Sequence, residues 1–382
     1  MQRRWISIAV LGLIAAFVAT PAMPARAQNA PPEAIADYRA KLAQYTQARQ
    51  AYEEVASAYW DDVVAKRRLR NAKRRGNETI QAADYVLTQP PIYSGPPRPA
   101  NPEAPGGEPG ERLPIPVLAD FLRAAEQQFG FVPDRPSELD FKRAYAKVAA
   151  VAGLTKDQVV GVYAFETGGN GTYDMQAGVS PTRPRAISPA IGYNQLLSTN
   201  SVSILAESGG RLLGTLRQKA KGLTGEAKLS MERKIEALKR MITFSRSVPN
   251  NWNDHDRLAK TTLGGLGIHA AILDRDIGPL LQVQKLVNSV RFARAKHYAA
   301  PLSGAELELM NLTGDGNGID MVMMPHELRT RVPTANFFQQ SGYERNPVAR
   351  RTGVVAALIA DIEGKMTRAS QSPGAKDLAA AF

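Results

Sequence analysis

The chain has 382 residues, 44% of them hydrophobic and 22% charged, with a formal charge of +12 and no cysteine. Lack of cysteine excludes disulfides, a thiol nucleophile, Cys-ligated zinc and a lipid anchor on a leader Cys. Its four histidines, His255, His269, His297 and His326, form no His-x-x-x-His pair, and neither Gly-x-Ser-x-Gly nor a phosphate-binding Gly-rich loop ending in Lys-Ser/Thr occurs.

Residues 1–27 have the pattern of a cleaved leader. Arg3 and Arg4 precede the apolar run Ile6 to Ala19, and Ala25-Arg26-Ala27 supplies a small-x-small cleavage site. The run is short for a membrane span, and no later apolar stretch approaches its length. Removing the leader takes away Arg3, Arg4 and Arg26, lowering the charge from +12 to +9. The expectation is an exported, periplasmic protein with no transmembrane segment once mature. Its basic character suits polyanions such as the cell wall, an anionic membrane face or an acidic partner; nucleic acid is a poor fit outside the cytoplasm.

Residues 28–85 are expected to form a helical, coiled-coil-like extension. Tyr38, Tyr45, Tyr52 and Tyr59 recur every seven residues, the spacing of a helical seam. That seam could serve packing or self-association, or stack on glycan rings. Lys66, Arg67, Arg68, Arg70, Lys73, Arg74 and Arg75 crowd its end, either as a solvated turn complementing the helix dipole or as a contact for anionic phospholipid or wall polymer. Residues 86–112 form a Pro/Gly-rich linker, too dense in Pro-Pro and Gly-Gly for a regular element.

Residues 113–370 are expected to be one helical domain. Periodicity places helices near 116–129, 138–150, 156–167, 193–207, 210–221, 226–245, 255–273, 276–297, 303–312, 318–331 and 348–369, with no alternating strand pattern. Residues 371–382 have the composition of a flexible tail. The clearest helix start is Thr155, which with Gln158 has capping-box spacing, flanked by Leu154 and Val159 as a hydrophobic staple. Val159, Val162 and Tyr163 mark the buried face, Glu166 is the next position on it, and Gly168-Gly169 ends the helix. An acid in the last turn of an apolar face is disfavoured as an anion by desolvation and by the helix dipole. A carboxylic acid kept protonated near neutral pH is what general-acid cleavage of a glycosidic bond requires.

Further elements follow in order: Ala186-Ile187-Ser188, then Gly192-Tyr193-Asn194-Gln195-Leu196, and downstream Met310-Asn311-Leu312-Thr313-Gly314. Together with Glu166-Thr167 they resemble the lysozyme-like lytic transglycosylases, which cleave peptidoglycan. Their pattern is a helix-terminal Glu-Ser, an Ala-x-Ser element, Gly-Leu-Met-Gln-Leu, and Ala-Tyr-Asn-Ala-Gly. Met310 stands where that family has its tyrosine, and Tyr193-Asn194 replace Leu-Met. The resemblance spans about 113–366 and implies a lysozyme-like orthogonal helical bundle acting without metal or cofactor. It also implies catalysis by Glu166, with Ser188, Gln195 and Asn311 against sugar or acid and Tyr193 supplying a ring or hydroxyl absent at Met310. The implied partner is the peptidoglycan glycan strand, cut at the β-1,4 bond between N-acetylmuramic acid and N-acetylglucosamine to leave 1,6-anhydromuramyl ends.

Other residues allow two readings each. Asp174, in Asn170-Gly171-Thr172-Tyr173-Asp174, is a cleft carboxylate or part of a polar connector. The Gly314–Asp320 stretch has a superficial calcium-loop look, but Asp320 and Met324 fall where that motif needs an apolar residue and a bidentate Glu; a tight turn fits better. Arg345 suits a carboxylate contact or a structural role. The alternative function is a non-catalytic wall-binding or envelope scaffold on the same fold.

Overall fold

The computed structural model describes residues 30–103, 115–180 and 185–382. The expected leader lies outside the described residues, as do parts of the expected linker and of the loop after Glu166. Among the described residues the chain is mostly helical, with no strand and three isolated antiparallel bridges. No helix among them is long and apolar enough to cross a membrane.

The chain divides into two compact units, residues 1–50 with 94–111, and residues 51–93 with 112–382. A 44-residue helix, α1 (Pro32–Arg75), begins in the first and ends in the second. In the first unit, Tyr38 and Tyr45 are half-buried and an exposed i,i+4 pair joins Asp37 to Lys41 at 2.7 Å.

In the second unit, Ala56, Trp60 and Val63 of α1 form a small core with Val86, Ala335, Tyr343 and Ala349. Tyr52 and Tyr59 pack against it, their hydroxyls donating to Glu344 Oε1 at 3.0 Å and to the Thr88 carbonyl at 3.0 Å. These two tyrosines of the heptad stripe therefore pack within the chain. The segment after α1 lies in the same packing. Val86 and the Asn336 amide exchange hydrogen bonds at 3.0 and 2.8 Å, and Gln89 donates to the Gly353 carbonyl at 3.2 Å. The expected boundary at 85/86 thus falls inside a packed segment, where side chains satisfy a proline-rich backbone that forms no ladder of its own.

The basic end of α1 is neither a solvated turn nor a free cationic patch. Arg70 is wholly buried and donates to the carbonyls of Asp84 and Asn336. Arg67 donates to Asn336 and Phe338, Lys66 to Ala83 and Tyr85, Lys73 pairs with Asp84 at 2.8 Å, and Arg74 with Asp320 at 2.8 Å. Only Arg68 and Arg75 of the cluster are exposed. Cations placed on carbonyl oxygens of an irregular segment satisfy acceptors that would otherwise be buried without donors.

The rest of the second unit is a continuous apolar core. It is built from α2 (Leu118–Phe129), α3 (Glu138–Val151), α4 (Lys156–Thr167), α5 (Ser198–Lys221), α6 (Gly225–Ser245), α7 (Trp252–Thr261), α8 (Leu263–His269), α9 (Ile277–Ala295) and α10 (Gly304–Thr313). Shorter helices follow: α11 (Asp315–Val322), α12 (His326–Arg329), α13 (Gln340–Arg345) and α14 (Pro347–Thr352), then α15 (Val355–Ala369) and α16 (Pro373–Ala380). Around α5 pack α6 to α9, while α4 packs on α10, α15 and α16.

Three expectations are corrected. Ser208-Gly209-Gly210 does not break the helix expected to end at 207. Instead α5 runs through it, because a side chain at Gly209 would meet Ile242 and its absence lets α6 pack close. Residues 193–197 belong to a tight turn rather than to that helix. Residues 371–382 are not a loose tail: in α16, Gly374, Ala375 and Leu378 are buried, and Gly374 N donates to Asn170 Oδ1 at 3.1 Å.

Candidate active site: a carboxyl pair at the end of α4

The start and end of α4 follow the sequence. Thr155 Oγ1 accepts from Gln158 N at 3.2 Å, Gln158 Oε1 accepts from Thr155 N at 2.9 Å, and Leu154 and Val159 are buried beside them. At the other end Gly168 is a left-handed cap with φ 66°. Gly169, with φ 78°, lies so close to the Ala369 carbonyl that a Cβ there would clash, so α15 and α16 close over the end of α4. Tyr163 anchors the departing loop through its hydroxyl on the Gly171 carbonyl at 2.8 Å. Glu166 is therefore presented by a helix end clamped on both sides, and it retains a partial opening to solvent.

Its partners come from α10. Asn311 Nδ2 donates to Glu166 Oε1 at 2.8 Å. One turn earlier, Glu308 is completely buried, and among the described residues neither of its oxygens has a hydrogen bond of good geometry, although the Asn311 amide lies near enough to favour its anion. What they face is the Glu166 carboxyl, a contact that becomes a hydrogen bond only when one of the two acids is protonated. Burial pushes Glu166 up to about 7, against a hydrogen bond from Glu308, the Asn311 amide and the Lys285 ammonium, which favour its anion. Glu308 is held well above the ordinary carboxylate range by complete burial, and then by the neighbouring Glu166. Two carboxyls this close cannot both ionise, so the pair retains a proton near neutrality. Of the two, Glu166 is the one that solvent reaches.

Lys285 of α9 bounds the cluster. It lies 3.7 Å from Asp315 Oδ1, and that same oxygen accepts from Ser289 Oγ at 2.7 Å. Asp315 thus opens α11, and the stretch with a calcium-loop look is helix rather than a tight turn or an ion loop. Among the described residues no group of three or more His, Asp or Glu side chains could hold a metal ion.

Of the other residues singled out from sequence, Asn311 alone is hydrogen-bonded to Glu166 among the described residues. Tyr193 is wholly buried, ringed edge-on by Phe141, Tyr145 and Tyr163, with its hydroxyl on Glu138 Oε1 at 2.5 Å. It does not take the place left by Met310, which is itself buried under Gly318. Ser188 Oγ accepts from Ala190 N at 3.1 Å, and Gln195 Nε2 donates to the Gly192 carbonyl at 2.8 Å. Both shape their own loop, closed by the Ile191–Leu196 bridge with Gln195 at φ 42°. His269, pushed down to about 4 by burial and so neutral, ties this loop to α8 through the Pro189 carbonyl at 2.9 Å. Asp174 pairs with Arg135 and accepts from Thr172 Oγ1 at 2.6 Å, a connector role. Arg345 donates to Ser341 Oγ at 3.4 Å, within its own helix.

Glu308 is the acid that the sequence reading passes over. Its signal is a Glu set between Leu307 and Leu309-Met310 on the apolar side of α10, three residues before Asn311. A carboxylate there must either leave the helix face or find a proton.

Fold and site define an all-α protein with a solvent-reachable carboxyl that shares its proton with a buried one. No family model, curated protein or solved structure matches the chain.

Proposed function

We propose that the protein is a peptidoglycan lytic transglycosylase with a lysozyme-like catalytic domain, acting in the periplasm on glycan strands and using Glu166 as its single acid and base. Protonated Glu166 gives its proton to the glycosidic oxygen as the bond to C1 of N-acetylmuramic acid breaks. The resulting carboxylate then takes the proton of the muramyl 6-hydroxyl as that oxygen attacks C1. The enzyme returns to its starting state and the sugar ends as the 1,6-anhydro form. The observation that carries this reading is the proton kept on Glu166 to about pH 7 by burial, in a position that remains open to solvent. Glu308 fits the one-acid route. Ordinary glycosidases separate their carboxyls by about 5 Å when retaining and about 6.5–9.5 Å when inverting, which leaves room for a sugar. Glu308 is in contact with Glu166 and so acts behind it, its protonated carboxyl donating to the Glu166 carboxylate. Asn311 orients the carboxyl, and Ser188 and Gln195 shape the loop after α4.

A second reading, a wall-binding scaffold without turnover, is favoured by the burial of Met310 and Tyr193, which leaves no aromatic hydroxyl from either position at the acid. Purified sacculi separate the two. Wild-type protein should release muropeptides with anhydromuramyl ends, unaffected by chelator, and Glu166→Gln should release none while remaining folded. Binding without release by the wild type would sink the enzymatic reading and leave the scaffold.

A further inference from the structure

Away from the Glu166 cluster, α3, α5 and α9 enclose a cavity of about 590 Å³. Its floor is aliphatic, with Leu212, Leu216 and Val283 buried and Val148, Leu280 and Val287 half-buried. Its rim is cationic: Lys147, Arg211, Lys219, Arg275 and Arg291 line it, with Asp276 the only carboxylate. That carboxylate is already taken by Lys219 and Lys234. Arg275 pairs with Asp134 at 2.9 Å and Arg211 donates to Gln284 Oε1 at 3.1 Å. Lys147 on α3 and Arg291 on α9 are exposed, and neither holds an ion pair among the described residues.

We infer that this cavity binds an anionic amphiphile of the fatty-acid class, its aliphatic chain on the floor and its carboxylate against Lys147 and Arg291. The volume falls in the range of about 300–1,000 Å³ typical of small-molecule sites. An open aliphatic floor gains by removal from water, which selects a chain rather than a polar solute. The surplus of positive charge selects a single negative head, and two cations from facing helices suit a group that accepts at both oxygens. An uncharged chain would fill the floor and leave the rim unanswered; a small anion would do the reverse. This site is independent of the glycosidase reading, since none of its lining residues belongs to the carboxyl cluster.

The test uses the full chain and isothermal titration below micelle-forming concentrations, with dodecanoate, dodecanol, butyrate and dodecyl phosphate. Dodecanoate should bind saturably, one per chain, and roughly tenfold or more tighter than dodecanol or butyrate, the size expected of one charge-assisted contact. Lys147→Ala with Arg291→Ala should weaken dodecanoate by a similar factor and leave dodecanol unchanged. Thr215→Trp, from an exposed wall position, should block both, with the thermal midpoint confirming the fold. No saturable dodecanoate binding, equal affinity for dodecanol, or indifference to the double variant overturns the site. Dodecyl phosphate binding more than roughly tenfold tighter than dodecanoate would overturn the carboxylate head in favour of a phosphate.

Discussion

The Glu308 carboxyl is packed against that of Glu166 and is itself closed to solvent. Helix α10 thereby places a second carboxyl behind an acid presented by α4, and Asn311 of the same helix fixes one of that acid's oxygens. Burial keeps the Glu166 proton on to about pH 7, and the buried neighbour, itself protonated, donates to the carboxylate once that proton leaves.

The first prediction concerns Glu308→Leu. It removes a buried acid whose protonated carboxyl donates to the Glu166 carboxylate and keeps the site dry, so the pKa of the Glu166 carboxyl should rise further above about 7. Activity that depends on the acid form should hold at pH 5 and extend to higher pH, with the alkaline limb of the pH–rate profile moved up. A pH–rate profile with an unmoved alkaline limb would remove Glu308 from this role.

Stability should follow the same proton. Because the folded pKa of Glu166 is raised above its unfolded value, its contribution is fully present below about pH 4.5 and is lost as pH rises through about 7. Glu166→Gln cannot titrate, so its stability relative to wild type should grow across that window by up to about 3 kcal/mol and level off above it. Urea unfolding of both proteins at pH 4.5, 6 and 8 measures the difference. A gap that narrows as pH rises would mean that folding lowers the Glu166 pKa instead of raising it.

Arg70 is the anchor of the α1 clasp, buried with its guanidinium on two carbonyls and 4.4 Å from the centre of the Tyr85 ring. Arg70→Ala should cost about 3–5 kcal/mol, and Arg70→Lys should recover little, since an ammonium lacks the planar fork. A nick in the 86–112 segment should leave residues 51–75 bound until denaturant is added. Gel filtration of nicked protein that separates them natively would show the clasp to be weak.

The C-terminal helix carries the last prediction. Leu378 is completely buried, and α16 packs on α4 at the end that presents Glu166. Leu378→Ala should lower stability by about 2–5 kcal/mol. Deleting residues 373–382 should abolish turnover of sacculi even where the remaining helices keep their far-ultraviolet signal. Full activity in the deletion would show that the end of α4 holds its geometry unaided.

Helix α4 was legible in detail because its determinants are local. A cap within three residues, an apolar face at helical spacing and a glycine that accepts positive φ act before any tertiary contact forms. Glu166 could be singled out for the same reason. Tyr193 shows where locality ends, for the sequence reading puts it in the binding set while three packed rings and Glu138 make it core. Gly209 shows it again, since a glycine that would break an isolated helix instead lets a neighbouring helix approach.

By itself, then, the sequence determined the helical class, the bounds of α4 and the candidate acid, all of which rest on contacts within a few residues along the chain. Tertiary structure alone decided that Glu308 shares a proton with Glu166, that the basic end of α1 clasps its own chain, and that the last residues dock as α16. Each depends on groups distant in sequence meeting in a desolvated place, where burial, rather than residue type, sets the charge a side chain can carry.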